Sequence, residues 1–525
     1  MTLLSQVCIL LLLMARINDP TLIRKYQQQI TPERLASRLY FFASDFFEGR
    51  ETTTRGQKLA AHYLASEYRQ LGLSPLGIDR TSDPLTSYFQ PFTVFRRTPK
   101  QSRLDVTIDG KRVASSTFSA ETHDDLSSFS LGALRGVSGG KWLMVLEDQT
   151  PFINKRSALW QAKPDGVLIA SDGGSGTFAD RAAQASFDLR RVGALSLVRS
   201  TDFPPAFAIS TRLANQILAP SNLTVEDLKK KSFVELDRSV KVTATIDAFP
   251  GLKTENVLAF IEGSDSKLKR EVLIISSHYD HLGINPALKG DQIFNGAADD
   301  GSGVVASLEL AQWFMKAKRD GFGPRRSILF INFSGEERGL LGSTYYSRHP
   351  AVPWERTVAD INMDGVAGLD LKHPTSSKNY IYILGNEELS TELIDLTTRL
   401  NRTLGTRLEL TPNRGFNSDH YNFETQLIPY IYYSTGLTEK YHQTDDEPNT
   451  IDYDHFARVV QLVFATAWQV ANQHSGPRRL DRKQLTLEGY TCPPCPFACD
   501  DHVYEQAGEC PVCGMNLVPK YRRSP

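Results

Sequence analysis

The chain has 525 residues, of which 41% are hydrophobic and 23% charged, a composition typical of globular proteins. Its length exceeds one ordinary hydrophobic core, so two or three domains are expected. The 59 basic and 60 acidic residues nearly balance, which gives no reason to expect nucleic acid or an anionic membrane surface as a partner.

Residues 1–16 contain one apolar run, "LLSQVCILLLLMA", just before Arg16. The run is shorter than the roughly 20 residues that span a bilayer. It is typical of the apolar part of a secretory signal, although no Lys or Arg precedes it. We therefore expect a secreted or periplasmic protein. The alternative is an apolar helix packed on the adjoining domain.

Residues 17–91 predict the N-terminal part of a larger domain. In "TTRGQKLAAHYLASEYRQLGLSPLG", Ala60, Leu64, Tyr68 and Leu71 recur at helical spacing, and Gly72 suits a helix end. Residues 92–249 have a strand-like pattern in place of the helical one. Short apolar runs such as "KWLMVLED", "DGVLIAS" and "AFAIS" are separated by Gly, Pro, Ser and Asp, and "VKVTATIDAF" alternates as a strand does. We expect an inserted β-rich domain.

Residues 250–475 alternate between strand and helix patterns. The predicted strands include "EVLIISS", "SILFINF", "VADINM" and "LIPYIYYS". The predicted helices are "GVVASLELAQWFMKA", "EELSTELIDLTTRLNRTLG" with Leu389, Leu393, Leu396 and Leu400 in one stripe, and "DHFARVVQLVFATAWQVANQ". This alternation predicts a layered α/β domain with a mostly parallel sheet. A polar linker, residues 476–487, precedes a cysteine-rich tail, residues 488–525.

Ligand-type side chains follow these strands. "HYDHLG" follows the first strand, "SGEERG" the second, Asp364 the third and "YHQTDDEP" the fourth, while "NGAADDGSGV" opens a helix. Ligands bind beyond the carboxyl ends of the strands in such sheets, so these five segments should meet. Imidazole and carboxylate without thiol suit Zn²⁺ or a similar divalent ion. The set allows a two-ion site: His278, Asp299, Asp364, Glu337 and His442.

The five segments, in this order, resemble the M28 family of two-zinc metallopeptidases, over about residues 256–472 and the N-terminal stretch "FFASDFFEGRETTTRGQKLAAHYLASEYRQLGL". By that resemblance His278 and Asp364 bind one zinc, Glu337 and His442 bind the other, and Asp299 bridges both. Asp299 occupies the bridging place of a G-x-x-D-x-x-S-G pattern. Asp300 and His281 would then be supporting or structural residues.

The adjacent glutamates of "SGEERG" divide their roles in this resemblance. Glu337 coordinates zinc, and Glu336 resembles the general base that moves a proton from the metal-bridging water to the leaving amine. Asp280 can hold the second ring nitrogen of His278. Tyr441 could donate to the tetrahedral oxyanion or could simply be packed. Gly365 departs from the family, which often has an apolar residue there, and this places side-chain preference in question.

Residues 92–249 resemble a protease-associated (PA) domain, as found inserted in some M28 members. By analogy such a domain could shape or cover the cleft and limit substrates to small or unfolded peptides. The alternative is a packing domain without a role in the chemistry.

The tail "YTCPPCPFACDDHVYEQAGECPVCGMNLVPK" has two C-x₂-C pairs, which suit a tetrahedral thiolate site. It resembles small heavy-metal-binding domains that end in C-P-x-C-G-M. We expect Cys492, Cys495, Cys510 and Cys513 to bind one further Zn²⁺ or other heavy metal, with Cys499 or His502 in reserve. Disulfides are the alternative in an oxidising compartment.

The sequence therefore predicts a zinc-dependent exopeptidase, most simply an aminopeptidase acting on peptides. Three alternatives remain open. They are a carboxypeptidase of the same family, a glutaminyl cyclase that shares the fold but uses one zinc, and a non-catalytic M28-like binding protein. The zinc content of the core, which is two, one or none, separates the two-zinc peptidases, the cyclase and the binding protein.

Overall fold

The computed structural model describes residues 19–77, 83–96, 101–108, 111–119, 126–128, 142–147, 166–171, 195–197, 206–230, 240–246, 251–370, 373, 378–385, 390–412, 418–479, 485–492, 502–507, 510 and 517–523. The predicted signal, residues 1–16, lies outside these residues, as do Leu389, Cys495, Cys499 and Cys513. Among the described residues, no helix has the length and hydropathy needed to cross a membrane.

The protein divides into two compact units. The first comprises Met1–Phe92, Thr254–Glu488 and Pro519–Pro525, and the second comprises Thr93–Lys253 and Gly489–Val518. The second unit contains the block predicted as an insertion, residues 92–249. It also takes in most of the cysteine-rich tail, which the sequence suggested was a separate module.

The helices follow the predicted pattern, with additional short ones between them. In chain order they are α1 Pro20–Gln27, α2 Pro32–Phe42, α3 Arg55–Leu71, α4 Thr211–Leu218, α5 Val225–Lys229, α6 Ser302–Arg319, α7 Leu341–Arg348, α8 Glu392–Leu404, α9 His420–Glu424 and α10 Tyr453–Asn472. Gly72 follows α3 with a φ of +90° and ends that helix, as the sequence predicts.

The strands are numbered in the same way. They are β1 Ser74–Pro75, β2 Phe89–Arg96, β3 Gln101–Ile108, β4 Lys111–Ser119, β5 Leu126–Ser128, β6 Trp142–Glu147, β7 Gly166–Ser171, β8 Leu195–Ser196, β9 Ala206–Ser210, β10 Val240–Ile246, β11 Gly251–Ile261, β12 Val272–His278, β13 Gly283–Ile284, β14 Ile293–Phe294, β15 Ser327–Phe333, β16 Thr357–Met363, β17 Tyr380–Leu384, β18 Glu409–Pro412, β19 Tyr430–Ser434, β20 Leu485–Thr491, β21 Val503–Tyr504 and β22 Val518–Arg523.

The first unit is built on one large sheet with the strand order β18-β17-β19-β16-β12-β15-β11-β2. The four central strands β19, β16, β12 and β15 are parallel, while β17 and β11 run antiparallel to their neighbours β19 and β15. The predicted fold class, a layered α/β domain with a mostly parallel sheet, is confirmed.

Both faces of this sheet are covered, which explains why its central strands read as continuous apolar runs. Successive side chains of a strand point to opposite faces. In β12, Leu273 and Ile275 belong to the larger core, together with buried residues of α2, α3, α6, α8 and α10. Ile274 belongs to a smaller core on the other face, with Tyr346 of α7 and Phe423 of α9.

The second unit contains separate small sheets. Strands β6, β7 and β9 are mutually parallel, with β5 antiparallel to β9. Strands β10, β3 and β4 form an antiparallel sheet. A further three-stranded sheet has the order β21-β20-β22. Its strand β20 begins at Leu485, inside the predicted linker, and its other two strands lie in the cysteine-rich tail.

Candidate metal centre and its supports

The parallel strands bring the predicted ligands to one edge of the sheet. His278 is the last residue of β12 and pairs in register with Phe333, the last residue of β15. Glu336 and Glu337 follow β15, and Asp364 follows Met363, the last residue of β16. Because parallel neighbours end at the same edge, side chains that follow them converge there. His442 arrives on the loop after β19 with a φ of +59°.

Asp299 lies between two imidazoles. Its Oδ1 is 3.2 Å from Nε2 of His278, and its Oδ2 is 3.0 Å from Nε2 of His442. The Nε2 atom of His278 is also 3.6 Å from Oδ1 of Asp364. On the other side, Nε2 of His442 is 3.1 Å from Oε1 of Glu337. The structure therefore brings all five predicted ligands together. The carboxylate of Asp299 lies between the other four, with His278 and Asp364 on one side and Glu337 and His442 on the other.

These distances fit two divalent cations. Two donors that each lie about 2.1 Å from a tetrahedral ion are about 3.4 Å apart. Nε2 of His278 and Oε1 of Glu337 are buried and have no hydrogen-bond partner within the described part of the chain. Buried polar atoms are rarely left without a partner, so these atoms are well suited to metal ligands.

Asp300 also lies near His278 and Asp364, close enough for the three to share an ion. Both of its carboxylate oxygens already accept hydrogen bonds from the backbone, however. Oδ1 accepts from the backbone N–H groups of Gly303 (2.8 Å) and Gly365 (3.1 Å), and Oδ2 accepts from that of His278 (3.2 Å). Asp300 therefore ties three segments of the site together, and Asp299 is the better ligand of the two.

Gly365 has a φ of +62°, a conformation that side-chain-bearing residues rarely adopt. A Cβ atom there would meet only Oγ of Ser434, at 3.6 Å. Its carbonyl accepts from Oγ1 of Thr435 at 2.7 Å. The departure from the family pattern at this position is thus accommodated by the backbone, next to the ligand Asp364.

The two glutamates after β15 have opposite electrostatic environments. Burial raises the pKa of Glu336 well above its usual value, and the Asp364 and Glu337 carboxylates add to this effect. Burial also tends to raise the pKa of Glu337, but the imidazoles of His442 and His281 outweigh it and hold that pKa well below its usual value. The adjacent carboxylates are therefore suited to different tasks, one to carrying a proton and one to remaining ionised.

Asp280 connects three parts of the site. Its Oδ2 accepts from Oγ1 of Thr52 at 2.7 Å, and its Oδ1 accepts from the backbone N–H of Glu336 at 3.2 Å. Nδ1 of His278 lies 3.1 Å from the backbone carbonyl oxygen of Asp280 but 3.8 Å from its carboxylate. The acceptor nearer to the imidazole is thus the backbone carbonyl, whereas the sequence suggested the side chain.

Tyr441 stacks on His442, with ring centroids 3.6 Å apart and planes inclined by 22°. Its side chain is 38% exposed, so it lies at the surface of the site and is not a core residue.

Sequence reasoning did not identify three buried residues of this region, and two of them, Arg50 and Asp446, support the cluster. Arg50 is fully buried and donates to the backbone carbonyls of Tyr279, Asn295 and Gly296 at 2.6–2.9 Å. Asp446 accepts from the backbone N–H groups of Ala298 and Asp299 at 2.9 and 3.1 Å. The only sequence signal for these two residues is their place in the motifs "FFEGRETTT" and "YHQTDDEP".

The third missed residue, Asp419, precedes α9. It is fully buried, and neither of its carboxylate oxygens has a hydrogen-bond partner among the residues described. Burial raises the pKa of Asp419 to about 7. A carboxyl group in such a setting resists ionisation. Asp419 lies outside the sequence motifs of the other site residues, so no sequence pattern pointed to it.

Comparison with known proteins agrees with this geometry. The family model described as "Peptidase family M28" matches residues 256–467, and the "Heavy metal binding domain" model matches residues 490–520. The chain thus carries an M28 peptidase domain followed by a heavy metal binding domain.

Among curated proteins, Aminopeptidase YwaD of Bacillus subtilis is 23% identical over 273 residues, which cover 50% of this chain and 54% of that protein. A probable zinc metalloprotease of Pyrenophora teres f. teres is 27% identical over 245 residues, 42% of this chain and 49% of that one. The match thus spans about half the length of these relatives. Among solved structures, an aminopeptidase from Aneurinibacillus sp. strain AM-1 aligns with a TM-score of 0.52 at 18% identity, over 87% of this chain and 97% of that one. This last likeness concerns the fold.

Proposed function

We propose that this protein is a two-zinc exopeptidase that removes N-terminal residues from peptides. The observation that carries the proposal is the placement of Asp299 between His278 and His442, with one carboxylate oxygen facing each imidazole. A bridging carboxylate with further ligands on each side is the arrangement that two-metal hydrolases need. The printed names of the relatives, aminopeptidase and zinc metalloprotease, support the reaction class.

His278 and Asp364 would hold one zinc, Glu337 and His442 the other, and Asp299 both. When bound, such ions polarise a carbonyl group and lower the pKa of water. The chain's own part is to fix the donors before substrate arrives. Asp300, Asp446 and Arg50 do so by hydrogen bonds to the backbone of the segments that carry the ligands.

Glu336 would act as the general base. Burial raises its pKa above that of an ordinary glutamate, so the carboxylate accepts a proton more readily, as a general base must. It would take a proton from the attacking water and deliver one to the leaving amine. Asp280 would position Glu336 through its backbone N–H, and Tyr441 would be placed to donate to the oxyanion.

The test compares free and N-acetylated aminoacyl-anilides as substrates of the wild type and of Glu336→Gln. We expect cleavage of the free amines only, and a loss of kcat of about 10²–10⁴-fold in the variant, the range of general acid–base catalysis. The zinc content should stay at the wild-type value, because Glu336 is not a proposed zinc ligand. Cleavage of the blocked substrates, or full activity of Glu336→Gln, would contradict the proposal.

The tail would hold a third ion through Cys492, Cys495, Cys510 and Cys513. Cys492 and Cys510 are buried thiols, and they follow β20 and the β21 segment. Thiolates are suitable ligands for zinc and other soft metals. Residues 92–249 would act as a protease-associated domain, and the protein would be secreted or periplasmic. Electrospray mass spectrometry under native conditions would count the ions.

A further inference from the structure

His281 is an imidazole in the metal centre that the proposed ligand set does not use. It lies three residues after His278, and its side chain is completely buried. Neither Nδ1 nor Nε2 meets a hydrogen-bond partner in good geometry within the described residues. A buried polar ring without partners costs free energy unless it serves another purpose.

The ring faces the carboxylates of the centre. Nδ1 of His281 lies 2.8 Å from Oε1 of Glu337 and 3.8 Å from Oδ2 of Asp299. These are the two oxygen atoms that Nε2 of His442 approaches from another direction, and the two imidazole centroids are 5.7 Å apart. Glu337 is therefore flanked by two imidazoles.

The ring of His281 is also held in place by its surroundings. Its backbone N–H donates to the carbonyl of Arg50 at 3.2 Å. A Cβ atom on Gly296, whose φ is +54°, would lie 2.5 Å from Cδ2 of His281. The segment that leads to Asp299 thus contains a glycine where the imidazole packs directly against the backbone, and a larger residue there would displace the ring.

We propose that His281 is a positioning residue for Glu337, and this inference rests on the two-zinc function proposed above. Nδ1 of His281 is within hydrogen-bond distance of Oε1 of Glu337, at 2.8 Å, although the N–H is not aligned with that oxygen in this structure. With its proton on Nδ1 and the ring turned towards Glu337, His281 would donate to Oε1 and fix the orientation of that carboxylate for the ion it shares with His442. His281, Asp299 and Glu337 also lie close enough to share an ion, but the 2.8 Å separation of Nδ1 from Oε1 is nearer to a hydrogen-bond distance than to a ligand–ligand distance, so we assign His281 the orienting role. Two ligands of one tetrahedral ion lie about 3.4 Å apart, whereas N–H···O contacts are about 2.9 Å.

Partners that orient metal ligands typically change metal affinity by about 10–100-fold. The loss should affect the ion of Glu337 and His442 and leave that of His278 and Asp364 nearly unchanged. His281→Leu removes the donor at similar volume. His281→Asn keeps a donor close to the position of Nδ1. His455→Leu is the matched control, because His455 is equally buried and its Nε2 lies 2.7 Å from the backbone carbonyl oxygen of Tyr380, away from the ligands.

The experiment titrates zinc into the metal-free full chain, in a background with Cys492, Cys495, Cys510 and Cys513 changed to Ser so that only the core ions are counted. We expect two ions in the background protein and one ion weakened about 10–100-fold in His281→Leu. We also expect partial recovery in His281→Asn, unchanged affinities in His455→Leu, and equal thermal unfolding of the metal-free background and His281→Leu.

Unchanged affinity for both ions in His281→Leu would overturn the inference. So would an equal weakening of both ions together with a lower unfolding temperature, which would indicate a packing role. Complete loss of one ion in His281→Leu, with that ion retained in His442→Ala, would make His281 a ligand and would also overturn it. If the background protein itself binds fewer than two ions, it is the proposed function that fails.

Discussion

Two regions of this chain offer metal ligands, and they are supported in different ways. In the peptidase domain the ligands come from segments far apart in sequence, and a sheet with two covered faces holds them together. In the tail the four predicted cysteines lie between residues 492 and 513 of the sequence, and the two that the structure describes, Cys492 and Cys510, lie outside the strands. The comparison suggests that the first site is organised by the fold, whereas the fold of the tail is organised by its metal.

Chelation of the full chain should have the largest effect and should separate the two regions. A small thiolate domain derives roughly 10–16 kcal/mol from its zinc, so the tail should unfold when the metal is removed. Thiol titration should then find Cys492 and Cys510 reactive, although both are buried in the structure. The helical circular dichroism, which comes mainly from the peptidase domain, should persist.

Two results would contradict this view of the two regions. Thiols that stay unreactive after chelation would mean that the tail folds without metal. A collapse of the helical signal would mean that the peptidase domain depends on its ions as much as the tail does.

Arg50→Met should give the next largest effect, because it leaves buried carbonyl groups without donors. We expect a loss in the free energy of unfolding of about 1–3 kcal/mol for each carbonyl left without a donor, together with weaker zinc binding, since these carbonyls belong to the loops that lead to Asp280 and Asp299. Burial lowers the pKa of Arg50 to about 10, so the guanidinium is charged at pH 7.

Arg326→Met is the matched control. Arg326 immediately precedes β15, is also fully buried and lies away from the ligands. It donates to the backbone carbonyls of Val470, Gln473 and His474, and also to the carboxylate of Glu271 at 2.7 Å. Urea unfolding should show a similar loss of stability in both variants, and zinc titration should show weaker binding in Arg50→Met alone. Equal zinc affinity in the two variants would show that Arg50 stabilises the fold without organising the site.

The sequence predicts the ligands of the peptidase domain well because most of them lie just after a buried strand. Apolar runs mark β12, β15, β16 and β19, and because these strands are parallel, the segments after them meet at one edge of the sheet. The supports are different. Arg50 acts through backbone carbonyls, and Asp300 through backbone N–H groups, and such contacts have no side-chain partner that a sequence pattern could reveal.

Parts of the fold were also beyond sequence reasoning. Strand β17 pairs antiparallel to β19, and β18 continues the sheet beyond it. The run "YIYIL" of β17 is as apolar as that of β19, but a strand pattern does not show the direction in which the strand pairs. Helices α1 and α2 were not predicted, although Leu35, Leu39 and Phe42 of α2 recur at helical spacing and are buried. Arg34 and Arg38 of α2 reach the buried carboxylate of Glu309 on α6 at about 3 Å, an attachment that depends on the tertiary fold.

The smallest predicted effect concerns acid, and it acts on the peptidase core independently of any metal. His420 of α9 is buried and stacks on Tyr432, with ring centroids 4.5 Å apart. Burial lowers the pKa of His420 to about 3. The unfolded chain binds this proton near pH 6.5 and the folded chain does not, so the stability that the neutral ring contributes is present above about pH 6.5 and is lost progressively as the pH falls towards 3.

Between pH 7.5 and pH 5 the loss from this residue should be about 2 kcal/mol. Urea unfolding of the metal-free protein at both pH values should show that His420→Phe, which retains an aromatic ring, loses correspondingly less stability than the wild type. His420→Asn removes both the titration and the stacking. It should be less stable at both pH values and should also lack the difference of about 2 kcal/mol.

If all three proteins lose the same amount of stability between the two pH values, His420 is not the source of the acid sensitivity. The loss would then come from another buried histidine whose pKa is lowered by burial, such as His455.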